Sequence, residues 1–200
     1  EPDILYHNDG HGYFTPVSWT GGSFLDENGK PLTGPPRDWG LSVLLRDLNG
    51  DGAPDIYVCN DADSPDRIWI NDGRGNFRML PKLALRHTSL SSMGVDSADL
   101  NRDGFDDLFV LDMLARRHEK RHTQLEKSRP PYLVPGDFES RPQYSRNTLH
   151  LNRGDNTYGE IAELAGLQAA NWAWGPVFLD ADLDGDLDVY AANRAGQNKL

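Results

Sequence analysis

Three short segments of this chain superimpose without a gap, and no other feature restricts its fold as strongly. They are Asp47-Leu-Asn-Gly-Asp-Gly-Ala-Pro-Asp55, Asp99-Leu-Asn-Arg-Asp-Gly-Phe-Asp-Asp107 and Asp180-Ala-Asp-Leu-Asp-Gly-Asp-Leu-Asp188. Their shared frame is D-x-[DN]-x-D-G-x-x-D, and each copy runs into an apolar, β-favouring stretch. Five residues before each first aspartate stands a small residue, Ser42, Gly94 or Gly175, itself preceded by Leu41, Met93 or Trp174. Self-similarity of this kind marks a chain assembled from copies of one supersecondary unit.

A second element recurs between the loops, over Leu5–Phe14, Ile68–Phe77 and Leu149–Tyr158. Alternating apolar residues lead to Asn8, Asn71 or Asn152, then a glycine-containing turn, then an aromatic. That order is a hairpin signal with its turn residues supplied. Each repeat therefore reads strand, aspartate loop, strand, strand, tight turn, strand, which is the four-stranded blade of a β-propeller. The spacing agrees, since 28 residues separate Asn71 from Asp99 and 28 separate Asn152 from Asp180. From Asn8 to Asp47 the interval is 39, which puts about 11 extra residues around Thr20–Pro36. Gly104 to Tyr158 spans 54 residues where Gly52 to Phe77 spans 25, so a 29-residue insertion lies between Ala115 and Tyr144.

The expected fold is all-β: about three four-stranded blades of a seven-bladed propeller, with a partly helical insertion over 115–146. The blade units fall near 1–19, 39–81, 93–162 and 172–200. Closed propellers take about 4–8 blades, so the chain is expected to be a segment of a longer propeller whose remaining blades are its partners.

With 38% hydrophobic and 10% aromatic residues the chain can fill a core. No apolar run is long enough to cross a membrane. A formal charge of −11 repels phosphate, which argues against nucleic acid or an anionic membrane as partner. Cys59 is the single cysteine, so no internal disulfide forms.

Ten of the 31 acids occupy frame positions of the three loops, and that clustering identifies their chemistry. Calcium takes six to eight hard oxygens from carboxylates and carbonyls at about 2.3–2.6 Å. Alternate positions of a tight loop turn inward together, and glycine at the sixth allows the bend that presents the seventh carbonyl. The candidate ligands are Asp47, Asn49, Asp51 and Asp55; Asp99, Asn101, Asp103 and Asp107; and Asp180, Asp182, Asp184 and Asp188. The carbonyls of Ala53, Phe105 and Asp186 would complete the sets. Solvated acidic turns are the alternative, but carboxylates packed this closely repel one another without a counter-ion. Three calcium ions would bring the formal charge of −11 to −5. An EF-hand is excluded, because its twelfth-position glutamate is replaced by Val58, Val110 and Ala191 and its flanks are strand-like.

These loops and hairpins resemble FG-GAP, or VCBS-type, repeats such as form the integrin α-chain propeller. Three stretches bring the chain nearer to the cartilage-acidic-protein-like family, whose propellers often precede an ASPIC/UnbV module. They are Asp112-Met-Leu leading into a basic insert, Ser145-Arg-Asn-Thr-Leu-His-Leu-Asn-Arg-Gly, and Trp172-Ala-Trp-Gly-Pro-Val-Phe-Leu-Asp. The resemblance covers nearly the whole chain. It implies a secreted, periplasmic or surface protein with a recognition, adhesive or scaffold role, a protein or polysaccharide ligand, and structural calcium.

Three further motifs compete for attention. His118-Glu-Lys-Arg-His122 satisfies H-E-x-x-H, the pattern of a zinc peptidase helix. Four neighbouring cations, Arg116, Arg117, Lys120 and Arg121, would repel a dication, and a third ligand would have to come from Glu139 or His150. A solvated basic helix is the simpler expectation. Arg153-Gly154-Asp155 spells an integrin-recognition tripeptide, but the repeat demands a hairpin turn there. The Ala115–Arg146 insertion carries eight Lys or Arg against four acids, which suits an anionic polysaccharide. Trp172 and Trp174 could stack on sugars, although alternation beside a loop favours the core. No nucleophile triad, phosphate loop or dinucleotide fingerprint occurs, so the chain is expected not to be an enzyme. The alternative is the propeller of a carbohydrate-active or other extracellular enzyme, which requires aspartates outside the frame that converge on a pocket with raised pKa.

Overall fold

The computed structural model describes residues 2–62, 64–124 and 141–193. A hairpin of β1 (Tyr6–Asn8) and β2 (Phe14–Pro16) comes first, followed by the short β3 (Phe24–Leu25). Next come β4 (Gly40–Arg46), β5 (Asp55–Asn60), β6 (Arg67–Asn71) and β7 (Phe77–Met79), antiparallel in sequence order. After β8 (Thr88–Ser89) the second blade begins with β9 (Gly94–Ala98) and β10 (Asp107–Leu111). The chain then makes the helix α1 (His118–Gln124) and returns through β11 (Gln143–Tyr144). The blade is completed by β12 (Thr148–Asn152) and β13 (Tyr158–Glu160). A last hairpin, β14 (Ala173–Leu179) with β15 (Asp188–Asn193), starts a third blade. The molecule is thus all-β, in propeller-like blades.

The blades stack face to face. β9 packs between β4 and β14, so the first strand of each repeat is the neighbour of the next. Alternation of side chains across a strand sends the residues of β10 to two cores. Leu108 and Val110 join Tyr57, Cys59, Ile68 and Tyr158 on the first-blade side. Phe109 and Leu111 meet Leu149, Ala162 and Ala173 on the third-blade side. All five residues of β10 are buried, as a strand covered on both faces must be. By contrast β4 leaves Leu41, Val43 and Leu45 exposed, and the final hairpin leaves Val177, Leu179 and Tyr190 exposed.

Close packing of the first strands explains the small residue at Gly94. A Cβ on Gly94 would lie 2.4 Å from the Trp174 carbonyl oxygen, well inside contact distance, and the obstacle is backbone. Gly94→Val should therefore destabilise the chain by about 1–3 kcal/mol or more, whereas Gly175→Ala, whose Cβ meets nothing, should change little. Urea titrations of both variants check this; equal midpoints would mean that the two strands are not in contact.

The first blade holds a fifth strand. β3 pairs in parallel with β7, and its Phe24 stacks on Phe77 at 5.5 Å and meets Trp69 edge-on at 5.3 Å. The extra residues around Thr20–Pro36 thus extend the sheet and cap a third core cluster. The insertion also has an ordered exit. β11 pairs in parallel with β8, and Arg146 bonds Glu160 at 3.1 Å and Glu163 at 2.6 Å.

Glu160 gathers further donors: His87 at 3.1 Å, and the amides of Leu149 and Ala162 at 3.2 and 2.6 Å. Burial by itself would raise its pKa, but the His87 contact and the two amides outweigh burial and bring it down to about 2. A depressed folded-state pKa contributes stability above the unfolded value of about 4.3, lost as pH falls toward the folded one. Glu160→Gln should accordingly be less stable than the parent at pH 7, with the gap closing between pH 4.5 and 2. Melting curves across that range test it; a gap independent of pH would place the effect in packing.

Candidate cation-binding loops

Each aspartate loop joins the first and second strands of its blade, and the three share one hydrogen-bond pattern. The first aspartate closes the loop on itself. Asp47 accepts the amides of Gly50 and Gly52, each at 2.8 Å. Asp99 accepts those of Asp103 at 3.0 Å and Gly104 at 2.9 Å, and Asp180 those of Asp184 and Gly185 at 3.1 and 3.0 Å. The fifth-position aspartate accepts the amide of the seventh residue: Asp51 from Ala53, Asp103 from Phe105, and Asp184 from Asp186. These turns require left-handed backbone at the sixth position, where Gly52, Gly104 and Gly185 have φ of 87°, 92° and 92°. The fourth position is left-handed as well, at Gly50, Arg102 and Leu183. Only Gly50 announces this in the sequence.

The ninth-position aspartate ties the loop to the rest of the blade. Asp55 accepts the Leu48 amide at 2.9 Å and the Asn71 amide at 2.8 Å. Asp107 accepts those of Leu100 at 3.1 Å and Asn152 at 2.8 Å. Both carboxylates are fully buried, and burial, together with the other carboxylates of the loop, raises their pKa against the pull of those amides. The asparagine that opens each hairpin turn is therefore part of the loop's support. Asp188 accepts the Ala181 amide at 3.1 Å and is exposed.

An oxygen-only donor set is what a hard cation needs. Oxygens of Asp180, Asp182 and Asp184 lie within 4.8 Å of one another, the one such group of three metal-binding side chains among the described residues. In the first two loops the third position is asparagine. Its amide nitrogen donates to the fifth-position carboxylate, Asn49 to Asp51 and Asn101 to Asp103, each at 2.9 Å. A carboxylate oxygen has two lone pairs, so the amide bonds leave acceptor capacity for an ion. The residues fit a calcium ion; it would cross-link the loop and neutralise its carboxylates.

The competing motifs find other places. α1 carries His118 and His122 with their Nε2 atoms 2.9 Å apart on an exposed helix, and no third ligand joins them among the described residues. Glu139 lies outside those residues. His150 is buried in β12, and burial drives its pKa down to about 3. Arg153-Gly154-Asp155 forms the β12–β13 turn: Gly154 has φ 70° and faces the Phe105 ring, while Asp155 accepts from the Thr157 amide at 2.9 Å and its hydroxyl at 2.6 Å. The two tryptophans reverse the expected alternation: Ala173 is the buried residue, and Trp172 and Trp174 are 44% and 49% exposed. Of the basic insertion, 125–140 lie outside the described residues.

Two aspartates outside the frame were not foreseen. Burial pushes both Asp66 and Asp112 up to about 6. Asp66 accepts from Tyr57 Oη at 2.7 Å, Ser92 Oγ at 2.8 Å and the Asn60 amide at 2.9 Å. Asp112 accepts the amides of Leu90, Ser91 and Met113. Neither is exposed, and each is held by three donors, so both serve as internal ties between strands. Asp66 borders a cleft of about 180 Å³ beside Arg67, Lys82 and Arg141.

Stacked antiparallel blades with an aspartate loop after each first strand define a propeller-type repeat module. The model of the FG-GAP-like repeat matches residues 47–110 and 136–191, more than half of the chain, and the protein belongs to that family. None of the curated proteins compared with it matches the chain significantly.

Proposed function

We propose that this chain is a calcium-binding segment of an FG-GAP-type propeller, acting as a recognition, adhesion or scaffold module outside the cytoplasm. The observation that carries this reading is the clustering of Asp180, Asp182 and Asp184 oxygens within 4.8 Å, in a frame that recurs twice more with the same turn. Its ligands are the aspartates, asparagines and seventh-position carbonyls named above, about three ions in all. Extracellular modules bind calcium at about 10⁻⁴–10⁻³ M, which matches a compartment rich in it, and FG-GAP repeats are common in extracellular and surface proteins. The narrower kinship to cartilage-acidic-protein-like propellers rests on the three stretches quoted from the sequence.

Further blades of the same propeller are the proposed cover for the two apolar faces, since a large exposed apolar patch marks an interaction surface. One such face, on β4, opens onto an apolar groove of about 410 Å³ floored by Ile56, Val58 and Trp69. The outer ligand is a protein or polysaccharide. Catalysis is not proposed, because the frame aspartates are engaged in the loops and Asp66 and Asp112 are buried, each held by three internal donors.

Calorimetric titration tests the reading. About three equivalents of calcium bound, with zinc unable to replace them, is the expected result. No calcium uptake would overturn it, and zinc uptake alone would move the metal to His118 and His122.

A further inference from the structure

The loops do not stand apart. A buried chain of hydrogen bonds joins the ninth-position carboxylates of the first two. Asp107 accepts the Asn152 amide at 2.8 Å; the Asn152 side chain donates to the Leu48 carbonyl at 2.7 Å; the Leu48 amide donates to Asp55 at 2.9 Å. Asp55, Leu48, Asn152 and Asp107 are all buried. On the surface Arg46, next to the first loop, pairs with Asp106 in the second. From the second loop, Arg102 reaches the third, donating to the Gly185 carbonyl and to Asp186, the latter at 2.7 Å. Every link runs through the second loop.

From this arrangement we infer that the second loop is the hub of a coupled set: a cation there raises the affinity of the first and third loops. The inference rests on the calcium reading proposed above. An ion fixes the loop that holds it, and part of binding is the cost of that ordering. Where neighbours share hydrogen bonds, ordering one lowers the cost of ordering the next, which is positive coupling without a large conformational change. Coupling is reciprocal and ordinarily about 5–150-fold in affinity. Asn152 and Arg102 are the positioning residues; neither is placed among the ligands.

Amide NMR of the full chain during calcium titration separates the loops. Gly52, Gly104 and Gly185 each donate their amide to the first aspartate of their own loop, so each reports one site. Asp99→Asn with Asp103→Asn removes two charges from the second loop and, because asparagine has one acceptor oxygen, one of the two amide bonds that Asp99 accepts. It should weaken binding read at Gly52 and at Gly185 by about 5-fold or more. Arg102→Asn, which suits the left-handed backbone at φ 60°, should break the link to Gly185 alone, so that loops two and three load at separate midpoints. If the double variant does not fold, the Arg102→Asn comparison still decides, because that side chain is 68% exposed. Loops that load with unchanged midpoints in these variants would overturn the coupling and leave the calcium reading intact. Glycine amides that never respond to calcium in the parent chain would overturn both.

Discussion

Removing calcium should lower the melting temperature of this chain by about 15–30 °C. A site filled at 100 times its Kd stabilises by about 2.7 kcal/mol, and three loops multiply that. A chain of this size moves by about 2–4 °C per kcal/mol. The mechanism also predicts where the stability resides. Asp103→Ala should lose about one loop's share in calcium yet melt close to the parent in chelator, because without an ion Asp103 is one of several carboxylates repelling each other around Asn101. Thermal melts of both proteins in both buffers give the four values required. A substitution equally harmful with and without calcium would show that Asp103 matters for its bond to the Phe105 amide and not for an ion.

Phe109→Ala should cost about 3–5 kcal/mol, whatever the buffer. Phe109 is 1% exposed at the centre of β10, in the cluster with Leu149, Ala162 and Ala173, and its ring lies 6.1 Å from that of Phe178. Its loss leaves a cavity between the second and third blades that the flanking strands, held by ladders on both sides, fill poorly. Leu164, 86% exposed, provides the comparison: Leu164→Ala should stay within about 0.5 kcal/mol of the parent. Urea unfolding checks the pair, and similar midpoints would mean that the third-blade hairpin does not pack on β10.

Much of this architecture was legible because it depends on order along the chain. The aspartate frame, the apolar run after it and the Asn-x-Gly turn are local, and each repeats, so a position with two meanings was decided by its counterparts. Ladder partners followed: Asp55 begins β5 and Asp107 begins β10, where the frame hands over to strand. What escaped is non-local or unrepeated. Phe24–Leu25 is too short to show a period, and its strand exists because the aromatic cluster of Trp19, Trp69 and Phe77 receives it. β8 and β11 lie more than fifty residues apart and pair through the exit of the insertion.

The site divides the same way. Ligand candidates could be named from spacing, but the double duty of the ninth aspartate could not, since its partners Asn71 and Asn152 sit in another hairpin. Nor could Arg102 be seen as a link, because its partners in the third loop are over eighty residues away. Asp66 and Asp112 stand at repeat positions that Asn147 and Asn60 hold in the other blade, where the Asn60 amide donates to Asp66 and the Asp112 amide to Asn147, and only burial sets the two carboxylates apart. Trp172 and Trp174 were drawn toward the core by an alternation whose phase the structure sets at Ala173 and Pro176.

The most direct test of the cation loops is anomalous diffraction from crystals of this chain grown with calcium and soaked with terbium. The account predicts one anomalous peak inside each of the loops 47–55, 99–107 and 180–188. Empty loops, or a peak only beside His118 and His122, would contradict it.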